Sequence, residues 1–214
     1  MKYRVIILDL DGTLLNTDEM IIAVFNELYQ LYRGGILTPK EEIYYFSGPP
    51  LSETMKKEFI DQDPAFMVKE FSRLTPKYLA KTVTLYKDAD ETLKYFKKRG
   101  LKLAVVTNKL KKPPIEVLNL FDLTSLFDIV IALEDVEKGK PAPEGILKVL
   151  EKLNITDKKT AIYVGDNEVD YQVALKAGVD SALVVWGPRI LDNKLTPTVK
   201  IKSYKELKRY VEKS

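Results

Sequence analysis

Tyr3-Arg4-Val5-Ile6-Ile7-Leu8-Asp9-Leu10-Asp11-Gly12-Thr13 decides how this chain reads. The apolar, β-branched run predicts a buried strand over Tyr3–Leu8, and the two acids mark its end. Asp9 and Asp11 stand at i and i+2 as the chain leaves that strand, so both carboxylates can address one point. Gly12 lets the backbone approach a ligand closely, and the turn that it forms with Thr13 offers amide donors to an oxyanion. The apolar run is too short for the hydrophobic region of a signal peptide. No later run approaches the roughly 20 apolar residues that span a bilayer. The expectation is a cytoplasmic protein with no membrane partner.

Outward from this stretch, further strands are predicted at Lys102–Val106, Ile129–Ala132, Ala161–Val164 and Ala182–Val185, with a short one at Val199–Ile201. Helical patterns alternate with them, which predicts an α/β fold: a Rossmann-like, three-layer core around a parallel sheet. Asp88 with Glu91 reads as a capping box, Gly100 as a helix end and Ser203 as the cap of a final helix. One segment breaks the alternation. Between Asn16 and Val83 there is no strand pattern, while Ile21, Phe25, Leu28 and Tyr32 step by 4, 3 and 4 as one helix face does. Gly34-Gly35 ends that helix, Gly48-Pro49-Pro50 forces a turn, and a further helix runs over Pro64–Thr82. The chain therefore divides into a core, residues 1–15 plus 84–214, and an inserted helical cap domain, residues 16–83.

Composition narrows the chemistry. Among the 214 residues there is no His and no Cys. That excludes disulfides, thiol nucleophiles, thiolate or imidazole metal sites and His-based acid–base catalysis. Lys and Arg number 34 against 31 Asp and Glu, a net charge of +3, which is too small to argue for a nucleic-acid partner. Carboxylates, lysines, hydroxyls, backbone amides and a hard cation remain.

Four polar clusters fall where predicted strands end, the edge at which open α/β sheets bind ligands. They are Asp9-Leu10-Asp11-Gly12-Thr13; Thr107-Asn108; Lys140, followed by a proline read as the start of the next helix; and Gly165-Asp166-Asn167-Glu168-Val169-Asp170. Asp9, Asp11 and Asp166 brought to about 4 Å would repel by roughly 4 kcal/mol per pair at an effective dielectric near 20. An all-oxygen site of that kind suits Mg²⁺. In order and setting the four clusters resemble the motifs of the haloacid dehalogenase superfamily, over nearly the whole chain. The cap placed directly after the first motif is similar to that of its type-1 phosphatases, among them phosphoglycolate phosphatases and bacterial pyrophosphatases.

The resemblance implies a Mg²⁺-dependent phosphohydrolase acting on a small phosphorylated metabolite, working as a monomer or homodimer. It implies Asp9 as nucleophile and Asp11 as general acid and base. Mg²⁺ would be held by Asp9, Asp166 and the Asp11 carbonyl. Thr107, Asn108 and Lys140 would hold phosphate oxygens beside the Gly12-Thr13 turn, with Asp170 and Asn167 behind them. Ser47 and Gly48 mark a candidate specificity loop, with Lys56 or Arg73 as anion partners. A sugar-phosphate mutase of the β-phosphoglucomutase type is the alternative, but its relatives carry a cap His where Ile21 stands here. A non-catalytic binding protein would have lost Asp9, Asp11 or Asp166. A phosphonatase would need a Schiff-base lysine such as Lys56 or Lys57.

Overall fold

The computed structural model describes residues 1–214. Strand β1 (Val5–Leu8) leads through the Asp9–Leu14 turn into β2 (Leu15–Asn16). Four helices follow: α1 (Asp18–Tyr32), α2 (Lys40–Ile43), α3 (Leu51–Glu58) and α4 (Pro64–Thr82). The chain returns through β3 (Thr84–Leu85) and α5 (Ala89–Lys98) to β4 (Lys102–Val106), α6 (Lys112–Leu120) and β5 (Ile129–Ile131). It closes with α7 (Glu144–Lys152), β6 (Ala161–Gly165), α8 (Glu168–Ala177), β7 (Asp180–Val184), β8 (Val199–Ile201) and α9 (Tyr204–Lys213).

Six strands form one sheet in the order β5-β4-β1-β6-β7-β8, and every neighbouring pair is parallel. The pleat sends alternate residues of β1 to opposite layers. Ile6 and Leu8 join Leu93 and Phe96 of α5 and Leu207 and Val211 of α9. Val5 and Ile7 join Ile146 and Val149 of α7 and Val173 and Ala177 of α8. The core is thus the expected three layers, with β1 at its centre and the loops after β1, β4 and β6 sharing one edge.

The helical insertion carries its own apolar centre, continuous with one layer of the core. The ring of Phe25 lies 4.8 Å from Phe46 and 5.6 Å from Phe71, and Tyr29 lies 5.4 Å from Phe59. Glu58, at the end of α3, accepts hydrogen bonds from Tyr29, Thr38 and Arg33, tying three segments together.

Several local expectations need correction. Strands β2 and β3 pair antiparallel at the two crossings between core and insertion, where no strand was expected. Two residues are too few to leave a periodic signal. Strand β7 begins at Asp180, two residues before its apolar run, because the carboxylate is satisfied by Tyr3 Oη at 2.9 Å and by Lys2. Asp88 makes no capping hydrogen bond: it adopts a left-handed conformation with φ 64°. Of the two prolines after Lys140 it is Pro143 that stands at the helix start, as the cap of α7, which opens at Glu144. Ser203 does cap α9, accepting from the Glu206 amide at 3.2 Å.

Candidate active site

Because β1, β4 and β6 run parallel and side by side, their carboxyl ends deliver Asp9, Thr107 and Asp166 to one edge. The loop before α7 brings Lys140 to the same place. All four side chains are buried, as is Asp170 in the first turn of α8.

Lys140 is the hub. Its Nζ donates to Asp9 Oδ1 at 2.6 Å, to Asp170 Oδ1 at 2.7 Å and to Tyr163 Oη at 3.1 Å. Burial alone would lower the pKa of this ammonium, but Asp170 and Asp9 beside it raise it well above its usual value. Asp170 is saturated: its second oxygen accepts from the amides of Asp166 and Asn167, each at 3.1 Å. It therefore orients Lys140 and fixes the Asp166 loop. Burial raises the Asp9 carboxyl to about 7, against the opposing pull of Lys140. Burial likewise lifts Asp166 well above the carboxylate range, although Arg189 opposes it.

The carboxylates that converge are Asp9, Asp166 and Asp170, whose oxygens lie within 4.8 Å of one another. Asp11, expected as the third member of that convergence, turns its carboxylate to Lys109 Nζ at 2.9 Å. Its backbone carbonyl stays in the turn and accepts no hydrogen bond, because Leu14 and Leu15 both donate to Leu10. Asp9 Oδ2 and Asp166 Oδ1 also lack a protein donor. When fully ionised, the five buried carboxylates (Asp9, Asp11, Asp18, Asp166 and Asp170) outnumber the three cations Lys109, Lys140 and Arg189 by two negative charges. A hard divalent cation fits both the surplus charge and the free oxygens.

The turn after β1 is built for close approach. Gly12 has φ 77°, and a Cβ there would lie 2.0 Å from Asp166 Oδ2. Its carbonyl accepts from Trp186 Nε1 at 3.1 Å, and the Thr13 carbonyl accepts from Tyr204 Oη at 3.0 Å. The Thr13 hydroxyl is buried without a partner. Thr107 follows β4, its hydroxyl accepting from the Lys109 amide at 3.2 Å.

Two asparagines fasten the insertion to this edge. Asn108 Nδ2 donates to the Gly48 carbonyl at 2.8 Å and to the Lys140 carbonyl at 3.0 Å. Asn167 Nδ2 donates to the Ser47 carbonyl at 2.9 Å, while its own oxygen caps α8. Ser47 and Gly48 thus meet the core through their backbones. Gly48 has φ 118°, and a Cβ there would sit 2.6 Å from Asn167 Nδ2, so a larger residue would lift the loop. Lys56 and Arg73, the expected anion partners, are exposed on the outside of the insertion, and Arg73 is held by Glu70. The phosphonatase alternative loses its candidates too, since neither Lys56 nor Lys57 lines the cavity.

Sequence reasoning missed Arg189, Asp18, Lys109 and Tyr163. Arg189 bridges Asp166 to Asp18 at the start of α1, the latter at 2.9 Å. It lies in an aperiodic loop with no motif to mark it. Lys109 directly follows Thr107-Asn108, and that adjacency was the available signal. Tyr163 reads as a core strand residue; only its contacts expose its second role.

Comparison with known proteins gives one answer. The family of haloacid dehalogenase-like hydrolases matches residues 6–184. The chain is 35% identical to pyrophosphatase PpaX of Halalkalibacterium halodurans, over 88% of this chain and 86% of that protein. It is 36% identical to pyrophosphatase PpaX of Bacillus pumilus, over 85% and 82%. The fold matches that of a haloacid dehalogenase-like family hydrolase from Streptococcus pneumoniae with a TM-score of 0.86 at 18% identity, covering 98% and 99% of the two chains. No helix of the structure is long and apolar enough to cross a membrane. With its strand-end acids, its buried lysine and its helical insertion in place, the chain belongs to the haloacid dehalogenase-like hydrolase family.

Proposed function

We propose that this protein is a Mg²⁺-dependent phosphohydrolase that releases phosphate from a small phosphorylated metabolite through an aspartyl-phosphate on Asp9. The observation that carries the reading is the division of labour at Asp9: Lys140 takes one carboxylate oxygen, the other has no protein donor, and an Asp166 oxygen lies within 4.8 Å of the Asp9 carboxylate. Asp9, Asp166 and the Asp11 carbonyl are the groups that would hold Mg²⁺, which would screen the approach of a phosphate to these acids.

The residues then act in sequence. A carboxylate oxygen of Asp9 attacks phosphorus, the ester P–O bond breaks, and the departing oxygen takes a proton from Asp11. Asp11 next removes a proton from water, whose oxygen attacks phosphorus and frees Asp9. Lys140, Thr107 and the Asn108 backbone amide stabilise the charge on the transferring group, and the Thr13 amide, which the turn does not use, adds a donor. The insertion, seated by Asn108 and Asn167, excludes bulk water from the intermediate. The relatives' printed name makes pyrophosphate one candidate substrate, and the cap resemblance makes phosphoglycolate another.

Asp9→Asn keeps the shape of the site but removes the nucleophile. Phosphate release from a phosphomonoester should fall by about 10³-fold or more with the fold retained by circular dichroism. Turnover by that variant near the wild-type rate, or activity undiminished after chelation, would refute the mechanism.

A further inference from the structure

The site opens into a chamber of 390 Å³ between the sheet edge and the helical insertion. Its two halves differ sharply. Asp9, Asp11, Thr107, Asn108, Lys109 and Lys140 form the floor. Lys109 and Lys140 are the only cations that line the chamber, and both are already held, at Asp11 and at Asp9 with Asp170. The wall is apolar: Phe46, Leu51, Val68, Leu79, Leu110 and Pro113 line it while keeping part of their surface uncovered. Behind them Phe25 and Phe71 close the space.

Two of the wall's hydroxyls are already spent inside α4. The Ser72 hydroxyl donates to the Val68 carbonyl at 2.9 Å, and that of Thr75 to the Phe71 carbonyl at 2.8 Å. Ser52 and the exposed Glu116 carboxylate, itself an anion, also line the chamber. A phosphate seated on the floor projects its ester group into this half. The carboxylate of phosphoglycolate, or the second phosphoryl group of pyrophosphate, would there be a charge without a partner, stripped of water against phenylalanine and leucine. An uncharged carbon skeleton would instead displace water from apolar surface.

We infer that the substrate is a phosphomonoester of an uncharged, largely apolar alcohol, with room for one hydroxyl near Ser52. The inference rests on the phosphohydrolase reading and adds to it the identity of the leaving group, an apolar alcohol R–OH formed as P–O breaks and its oxygen is protonated. The helical insertion selects by shape and hydrophobicity, not by charge.

The experiment measures kcat/KM with Mg²⁺ for benzyl phosphate, phosphoglycolate and pyrophosphate, on the full chain and on Leu79→Lys, which sets a cation into the wall. Benzyl phosphate and phosphoglycolate are both esters of a primary alcohol, so the pair compares pocket fit more than leaving-group reactivity. The expected result is a preference for benzyl phosphate over either anion of about tenfold or more, narrowed or reversed in Leu79→Lys. A ratio of substrates is insensitive to partial loss of folded protein. Faster turnover of phosphoglycolate or pyrophosphate than of benzyl phosphate overturns this inference and leaves the phosphohydrolase reading standing. A benzyl preference unmoved in Leu79→Lys removes the wall as its source and overturns the inference too. Hydrolysis of none of the three refutes the phosphohydrolase reading and the inference with it.

Discussion

The floor and the wall of the chamber are made by different physics. On the floor each charged side chain is anchored by a named partner: Lys140 by Asp9, Asp170 and Tyr163, Asp166 by Arg189, and Asp11 by Lys109. All of these groups but the half-buried Lys109 are buried, so changing one strands another. The wall consists of half-buried apolar side chains on α4, on α6 and its approach, and in the loop before α3, and any of them can be exchanged for another of similar size. The contrast teaches where each property resides. Reaction chemistry belongs to a network that must be kept whole, and substrate choice to surfaces free to drift.

The sharpest way to break the comparison is to empty the hub. Lys140→Ala leaves Asp9 and Asp170 buried without their cation, which should lower the unfolding free energy by about 3–5 kcal/mol. A denaturation midpoint close to that of the parent would mean the floor is not the coupled unit described. Next in size is the proton donor. Asp11→Asn should cost about 10²-fold or more on benzyl phosphate, and clearly less on p-nitrophenyl phosphate, whose leaving group needs no proton. Equal losses on the two esters would remove Asp11 from that role.

Mg²⁺ gives a third handle that needs no turnover. At about 100 times its Kd it should stabilise the fold by about 2.7 kcal/mol, read as a rise in melting temperature. Asp166→Asn should abolish the rise; a rise of the same size in that variant would put the cation elsewhere. The seam between the halves carries the smallest effect. Gly48→Ala forces a side chain to φ 118° and against Asn167, a strain of about 1–3 kcal/mol. KM for benzyl phosphate should rise, and the melting temperature should fall by about 2–4 °C per kcal/mol of that strain. An unchanged KM would show that the loop does not need this seat.

What could be read beforehand follows the same division. The floor was legible because its residues are held by strand ends: a parallel sheet places residues that follow β1, β4 and β6 at one edge whatever lies between them. Asp9, Thr107, Lys140 and Asp166 could therefore be grouped from order alone. Lys109 was marked by its adjacency to Thr107-Asn108, a signal left unread, whereas Arg189 could not be grouped, since it reaches the site from a loop whose path depends on packing. Asp11 was placed on the right turn, yet its carboxylate went to Lys109, because two side chains that share a strand face still choose partners one at a time. Lys56 and Arg73 were misjudged as anion partners for a related reason. Helical position told that they lay on the insertion, but which face met the chamber was set by the aromatic cluster around Phe25. The antiparallel β2–β3 pair that closes the insertion was invisible, as two-residue strands have no period to detect.

The central claim is that Asp9 carries the phosphoryl group. It is tested by acid-quenching the protein during Mg²⁺-supported turnover of a radiolabelled phosphomonoester and mapping the label. Label is expected on the peptide containing Asp9, released by hydroxylamine as an acyl phosphate is, and absent from Asp9→Asn. Steady turnover with the label on another residue would contradict it.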